Sequence, residues 1–255
     1  MKKIVSLLLV AGLGAFIFIA LDFTDNGPLT FKPYGQVDMQ QRVAQAYIKK
    51  DVTGANQPVI FGESTDEETG SANMVTSVVV NYRSFDTLGE VTVLFVATLG
   101  VGLLLGGRRK RQTYQHAPNF ILKHGARLVF GIMMVFGVYM FTHGHLTPGG
   151  GFPGGSILAA ALLLLYLADN EFRAKVAAFK FTEGLAGSLY VLIGLAGLAV
   201  GGYFLVNFLP TGTVGHLVSA GLIPIIYVLI GLKVASEISG AIDGFATEET
   251  GEVEE

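Results

Sequence analysis

A glycine-rich segment between two apolar stretches holds side chains suited to moving protons or ions. Residues 143–155 read HGHLTPGGGFPGG, so His143, His145 and Thr147 precede five glycines and two prolines. Lipid satisfies no backbone hydrogen bond, so irregular backbone at membrane depth must be buried in protein or line water. Imidazoles exchange protons near neutral pH, and hydroxyl and carbonyl oxygens are hard ligands of the kind that sodium takes.

This segment is therefore predicted to line an ion or proton path. Its expected contributors are His143, His145, the Thr147 hydroxyl and the backbone of Gly149, Gly150 and Gly151. Transient sodium binding is expected near Thr147, and no resident metal site is expected because two histidines do not complete a ligand set. The alternative is an ordinary interhelical turn whose histidines are hydrogen-bonded.

A second ionisable group stands at the start of another apolar stretch. Arg83, Asp86 and Glu90 are spaced i, i+3 and i+7, which places them along one face wherever the backbone is helical. Carboxylates at membrane depth are costly and mark ion pathways or pair with a basic partner. Arg83 is expected to pair with Asp86, and Glu90 to lie deeper as a relay. The alternative is that all three anchor the helix at the lipid headgroups.

Two further pairs have the i, i+4 spacing. Lys123 is expected to extend to the membrane interface, and Arg127 to pair with a carboxylate on a partner helix. Lys233 and Glu237 are expected to form an interfacial anchor near the end of the last span.

Composition identifies a membrane protein. The 255 residues are 51% hydrophobic with a mean hydropathy of +0.55, which favours an all-α, polytopic transmembrane helix bundle of about six spans. The chain has no cysteine, which excludes disulfides and iron–sulfur ligation by this chain, and no cofactor is expected. No nucleophilic triad or phosphate loop is present, so a transporter subunit is expected rather than an enzyme.

The predicted spans are Ile4 to Leu21, Leu88 to Gly106, Ile121 to Phe141, Phe152 to Ala168, Leu185 to Phe208 and His216 to Ser236.

Three features predict irregularities or close contacts in these helices. The stretch from Met74 to Leu105 is too long for one straight span, and its polar run from Asn81 to Thr87 is expected to bend it. Pro224 is expected to kink the last span. In the fifth span, the spacing of Gly194, Gly197 and Gly201 predicts close contact with another helix.

Charge distribution sets the expected topology and domain boundaries. Six basic residues and no acid lie between Gly106 and Arg127, whereas Asp22 to Gly70 carries four bases and eight acids. The basic loop is therefore placed in the cytoplasm, together with both termini, and needs no nucleic acid to explain it. The first stretch is expected to be a retained anchor. Four domains are expected. Residues 1–107 would form an anchor, an outer loop and a charged span, and residues 108–119 a basic linker. Residues 120–240 would form a four-helix membrane domain, and residues 241–255 an acidic disordered tail.

Two stretches resemble known families. The HGHLTPGGGFPGG motif followed by SILAAALLLLYLA resembles the MnhB domain, which is the B-type subunit of Mrp-type multi-subunit sodium/proton antiporters, over about Phe120 to Ser239. The stretch from Asn73 to Val101 resembles the C-terminal part of the large antiporter subunit, a part that forms a separate small protein in membrane-bound hydrogenase-type complexes. The chain therefore resembles a fusion of the two.

The resemblance implies a subunit of a cation/proton antiporter module in a prokaryotic inner membrane, with other membrane subunits, Na⁺, H⁺ and lipid as partners. It also implies that acidic positions matching Asp86 and Glu90 take part in ion translocation. One alternative is an antiporter-like subunit of an energy-converting hydrogenase or related redox-driven pump. Another is a sealing subunit with no ion-path residues.

Overall fold

The computed structural model describes residues 8, 10–12, 14–15, 60–105, 120–169, 172 and 174–246. The chain divides into two units, Met1–Gln45 and Ala46–Glu255. In the first unit the few described residues are helical. Most of the first predicted span, the basic linker and the end of the acidic tail lie outside the described residues.

The described part of the second unit is helical. Apart from one isolated antiparallel bridge between Thr65 and Thr213, it contains no β-structure. The elements are α1 (Met74–Ser77), a π-helical turn (Val78–Tyr82), α2 (Ser84–Leu104), α3 (Phe120–Thr142), α4 (Gly151–Ala168), α5 (Val176–Gly201) and α6 (Ile223–Ala246).

Helices α2 to α6 are each long and apolar enough to cross a membrane, which gives five candidate spans among the described residues. At 1.5 Å per residue, the 21 residues of α2 extend about 30 Å, the thickness of the hydrocarbon core. The predicted all-α polytopic bundle is confirmed.

The predicted bend in the second span is confirmed and falls at Arg83. Its backbone, with φ −129° and ψ 42°, separates the π-helical turn from α2. The Thr87 hydroxyl donates a hydrogen bond of 2.7 Å to the Val79 carbonyl, across the break. Polar side chains in this run thus satisfy backbone that a continuous helix would have paired.

Two predicted spans had wrong boundaries. Helix α5 begins at Val176 rather than Leu185 and ends at Gly201, where Gly202 adopts φ +78°. Lys180 and Glu183 therefore lie inside a membrane-spanning helix rather than in a loop. Helix α6 begins at Ile223 rather than His216.

The predicted kink at Pro224 is also wrong. Pro224 is the second residue of α6, within the first turn, where a backbone N–H has no helical partner to lose. Proline starts this helix rather than distorting it.

Helices α4 and α6 form the interior of the bundle. Half of the apolar window of α4 is buried, against 11% of the corresponding window of α2. Helix α3 packs on α4, whereas α5 and α2 pack on α6. Small residues permit the close approach, since a Cβ on Gly155 would lie 2.6 Å from the Gly231 carbonyl oxygen.

The glycines of α5 pack on a loop rather than on a helix. A Cβ added to Gly197 would lie 2.9 Å from the Val206 nitrogen, and one on Gly201 would lie 2.5 Å from the Val206 Cγ1. Because the chain turns back after Gly202, the small-residue stripe that predicted a helix contact instead accommodates the chain's own return segment.

Candidate functional site

The glycine-rich segment joins α3 to α4 with backbone that requires glycine. Gly150 has φ +141°, a conformation that L side chains rarely adopt. Gly151 is constrained by space instead, because an added Cβ would lie 2.6 Å from the Ile230 Cβ and 2.8 Å from the Tyr227 carbonyl oxygen. The sequence-based expectation of a special backbone at these two positions agrees with the geometry.

Neighbouring segments lock this loop in place. The Asn73 side-chain amide donates to the Gly144 carbonyl at 2.8 Å and to the Thr147 carbonyl at 3.0 Å. The Thr76 hydroxyl also donates to the Gly144 carbonyl, at 2.8 Å, and accepts a hydrogen bond of 3.0 Å from the Tyr227 hydroxyl. The region resembling the large antiporter subunit and the MnhB-like region are therefore joined by buried hydrogen bonds, which nothing in the sequence indicated.

His145 is completely buried in this loop, with 0% of its surface exposed. Its Nε2 lies 3.1 Å from the Leu217 carbonyl oxygen, and since a carbonyl only accepts, Nε2 carries the proton. Burial lowers the pKa of His145 from its ordinary value of 6.5, although backbone hydrogen bonds to His216 and Leu217 act in the opposite direction. This histidine is a neutral hydrogen-bond donor that ties two loops together.

His143 and Thr147 have local partners. The His143 ring stacks on Tyr139 with 4.4 Å between ring centroids, and its Nδ1 lies 3.0 Å from the Thr142 hydroxyl. The Thr147 hydroxyl donates to the His143 carbonyl at 3.3 Å, and the Gly150 carbonyl accepts from the Gly154 N–H at 3.1 Å. Several oxygens expected to meet sodium thus already have protein partners.

Of the three charged residues expected on one face of α2, two form an ion pair and the third, Glu90, stands alone. Arg83 Nε lies 2.6 Å from Asp86 Oδ2, and both side chains are largely exposed. Glu90 is also exposed in this chain. No described residue forms a hydrogen bond or an ion pair with it, although it acts electrostatically on Tyr190 and Tyr227. The expected Arg83–Asp86 pair is present, and Glu90 stands apart from it.

Arg127 pairs with a carboxylate of this chain at the opposite end of the bundle. Its Nη2 lies 2.8 Å from Asp169 Oδ2, while Lys123 Nζ lies 3.0 Å from Asp169 Oδ1. Lys123, expected only to extend to the interface, therefore shares the same partner. Asp169, just after α4, is 3% exposed and was not singled out from the sequence.

The pair Lys233–Glu237 lies in the middle of α6 rather than at an interface. Glu237 is 2% exposed, and its Oε1 contacts the Lys233 ammonium. The Lys233 Nζ also lies 5.1 Å from the centre of the Phe95 ring. Expecting an interfacial anchor here was wrong because the predicted span ran from His216 to Ser236, whereas α6 runs from Ile223 to Ala246. The signal that would have corrected it is Pro224, which favours the first turn of a helix.

Comparison with protein families matches two consecutive parts of the chain. Residues 121–240 match the domain related to the MnhB subunit of Na⁺/H⁺ antiporters, and residues 39–119 match MbhE, described as a subunit of MBH. These matches agree with both resemblances drawn from the sequence.

Relatives of known sequence include archaeal and bacterial proteins. The chain is 34% identical over 202 residues to an uncharacterized protein of Methanocaldococcus jannaschii, covering 66% of this chain and 75% of that protein. It is 43% identical over 94 residues to the B-type subunit of the Na⁺/H⁺ antiporter of Alkalihalophilus pseudofirmus, covering 35% of this chain and 65% of that relative. It spans only 14% of the A/B-type subunit of a probable K⁺/H⁺ antiporter of Rhizobium meliloti, at 29% identity over 43% of this chain.

Two solved structures share the fold. A chain of the archaeal membrane-bound sulfane sulfur reductase is similar with a TM-score of 0.72 and 43% identity, covering 97% of this chain and 99% of that one. A chain of the Mrp complex of Dietzia sp. DQ12-45-1b is similar with a TM-score of 0.63 and 26% identity, covering 98% of this chain and 26% of that one.

The fold and the glycine-rich motif thus define a polytopic membrane subunit of the antiporter type. Residues 121–240 form a domain of the MnhB family, and this domain follows an MbhE region in the same polypeptide.

Proposed function

We propose that this chain is a membrane subunit of a multi-subunit cation/proton antiporter module and contributes side chains to its ion path. One observation carries the proposal, namely that Glu90 is an exposed carboxylate within the membrane-spanning helix α2 and has no bonded partner among the described residues. A charge facing lipid at this depth is costly, so a neighbouring protein or a water-filled path must cover it. The scarcely buried surface of α2 agrees with such a neighbour.

The other predicted path residues take supporting places in this proposal. Asp86 lies beside Glu90 on α2 and is already neutralised by Arg83. Gly149 to Gly151 hold the loop in shape, His143 follows the end of α3 and passes protons in this proposal, and Thr147 offers its hydroxyl oxygen to a transient sodium ion. Arg127 pairs with Asp169 at the end of α4, and His145 joins two loops through the Leu217 carbonyl, so in this proposal both have positioning roles.

A second function of the parent complex has support of its own. The similarity to the sulfane sulfur reductase chain extends over nearly the whole length of both chains. In this second proposal the module is driven by electron transfer in partner subunits, because the chain contains no cysteine to bind an iron–sulfur cluster.

Purification through a tagged chain would distinguish the two functions. The complex is reconstituted in liposomes, and sodium-dependent proton movement is followed with a pH-sensitive dye, with and without electron donor and acceptor. An antiporter exchanges ions in response to an imposed gradient alone. Co-purifying iron–sulfur subunits and transport that requires electron transfer would establish the redox-driven function. Absence of ion movement under either condition would contradict both.

We further propose a multi-pass location in a prokaryotic plasma membrane with both termini in the cytoplasm, supported by the basic run before α3. Val218 is 92% exposed and offers a labelling site at the glycine end of the bundle. A cysteine at Gly149 would be unsuitable, because its Cβ would lie 2.7 Å from the Met140 carbonyl oxygen. Val218→Cys should react with an impermeant maleimide in intact cells, and Gln112→Cys only in everted vesicles. The reverse pattern would invert the topology.

A further inference from the structure

A cleft crosses much of the bundle between α2 and α5, with α6 as its floor. A cavity of about 480 Å³ lies toward the Asp169 end and is lined by residues including Phe95, Lys180, Glu183, Glu237 and Asp243. A cavity of about 270 Å³ continues toward the other end. Because ionisable side chains line this cleft at membrane depth, it holds water or is covered by protein rather than filled by lipid.

The Lys233–Glu237 pair lies where the two cavities meet. Glu237 lines the larger cavity and Lys233 the smaller one, while Phe95 and Glu183 line both. The smaller cavity is also lined by Tyr190, on which Glu90 acts electrostatically. The pair therefore lies between a cavity at the Asp169 end and one that approaches the Glu90 surface.

The bonding of Glu237 is incomplete. Its Oε1 contacts the Lys233 ammonium, but its Oε2 is buried and has no hydrogen-bond partner among the described residues. A buried carboxylate oxygen without a donor is expensive, since buried polar groups are nearly always satisfied. Protonation would remove the negative charge from this oxygen and so lower the cost of burying it, whereas a permanently ionised pair would keep that cost.

We propose that Lys233 and Glu237 form a proton-transfer site that connects the two cavities, a role that rests on the proposed antiporter function. Glu237 takes up a proton from the side of the larger cavity, which it lines, and becomes neutral. Lys233, having lost its counter-charge, releases one proton to water in the smaller cavity. The neutral Glu237 then gives its proton to the Lys233 amine, and the ion pair is restored with one proton transferred.

The surrounding charges suit a proton rather than a sodium ion. Lys180 and Glu183 approach from α5, Asp243 follows on α6 and accepts a hydrogen bond of 2.7 Å from Tyr166 on α4, and Glu90 is the nearest carboxylate of α2. No group of three or more acidic or histidine side chains that could hold a metal ion occurs in the described part of the chain. Sodium requires several hard oxygens, whereas a proton requires one.

The test compares a single variant with a neutral double variant in the complete complex. Glu237→Gln leaves the Lys233 charge unpaired and is expected to impair assembly, so it cannot separate the roles by itself. Lys233→Gln with Glu237→Gln removes both charges and keeps hydrogen-bonding groups of similar size. Replacing a buried ion pair by neutral groups is often tolerated, so the double variant is expected to assemble normally on native gels.

If the pair transfers protons, the assembled double variant loses sodium-dependent proton movement in everted vesicles by at least about tenfold, the equivalent of about 1.4 kcal/mol. Thr98→Val, in the same cavity but without a titratable group, should retain wild-type exchange. Wild-type exchange in the double variant would overturn the proposal, and so would failure of the double variant to assemble, since the pair would then be structural.

Glu90→Gln is measured in parallel. Loss of exchange in that variant alone would overturn the proton-transfer site and leave the proposed function standing.

Discussion

Glu90 and Glu237 are both carboxylates on membrane-spanning helices, yet their surroundings differ. Glu237 is 2% exposed and contacts Lys233 within its own helix. Glu90 lies on the uncovered surface of α2 with no bonded partner among the described residues. The first has a basic partner within this chain, and the second requires a neighbour. The difference reflects how far each helix is covered by its own chain, since 44% of the apolar window of α6 is buried against 11% of that of α2.

The largest difference between the two carboxylates is expected when their basic neighbours are replaced. Lys233→Met leaves Glu237 as a buried charge without a partner, which is expected to cost about 3 to 5 kcal/mol and to remove most of the assembled complex. Arg83→Met breaks the largely exposed Arg83–Asp86 pair and is expected to cost at most about 1 kcal/mol. Native gels and thermal aggregation of the solubilised complex measure both. Equal losses would mean that α6 is no better covered than α2.

Two glycines, one in a close helix contact and one on an open helix surface, allow the same comparison for packing. Gly151→Val drives a side chain into Ile230 and the Tyr227 backbone, so we expect a loss of about 1 to 3 kcal/mol and reduced assembly. Gly131→Val places the same side chain on α3, where an added Cβ meets nothing within 4 Å. The control variant should assemble as wild type. Normal assembly and exchange in the Gly151 variant would contradict the close approach of α4 to α6.

A smaller effect is expected from His145, which should make the stability of the complex depend on pH. Because burial lowers the pKa of the folded His145 below 6.5, the unfolded chain binds more protons, and stability should fall as the pH drops below about 6.5. The slope from one group is at most about 1.4 kcal/mol per pH unit. Thermal stability of the solubilised complex at about pH 7.5 and about pH 5.5 measures it. His145→Asn should flatten the dependence. A dependence unchanged by His145→Asn would assign it to other groups.

The sequence predicted features that depend on local chemistry. Gly150 and Gly151 were identified because few other residues tolerate such backbone, and the bend at Arg83 because polar residues interrupt an apolar run. The Arg83–Asp86 pair followed from its spacing. These predictions needed no knowledge of which helices touch.

Features that depend on depth and on long-range packing were missed. Lys233 and Glu237 have the spacing of an ordinary surface pair, and only the true bounds of α6, from Ile223 to Ala246, place them at its centre. Glu183 was assigned to a loop because charged residues at the start of α5 resemble a connection. The hydrogen bonds from Asn73 and Thr76 to Gly144 join segments about seventy residues apart, which periodicity does not reveal.

The central claim is that Glu90 is an ionisable relay covered by a neighbouring protein of the complex, and its most direct test is sodium-dependent proton movement by an assembled Glu90→Gln complex. The substitution keeps the shape of the side chain and removes its charge. We expect normal assembly with at least about a tenfold loss of exchange, and a smaller loss for Asp86→Asn because Arg83 already compensates that carboxylate. Wild-type exchange by an assembled Glu90→Gln complex would contradict the account and identify this surface of α2 as a structural seal.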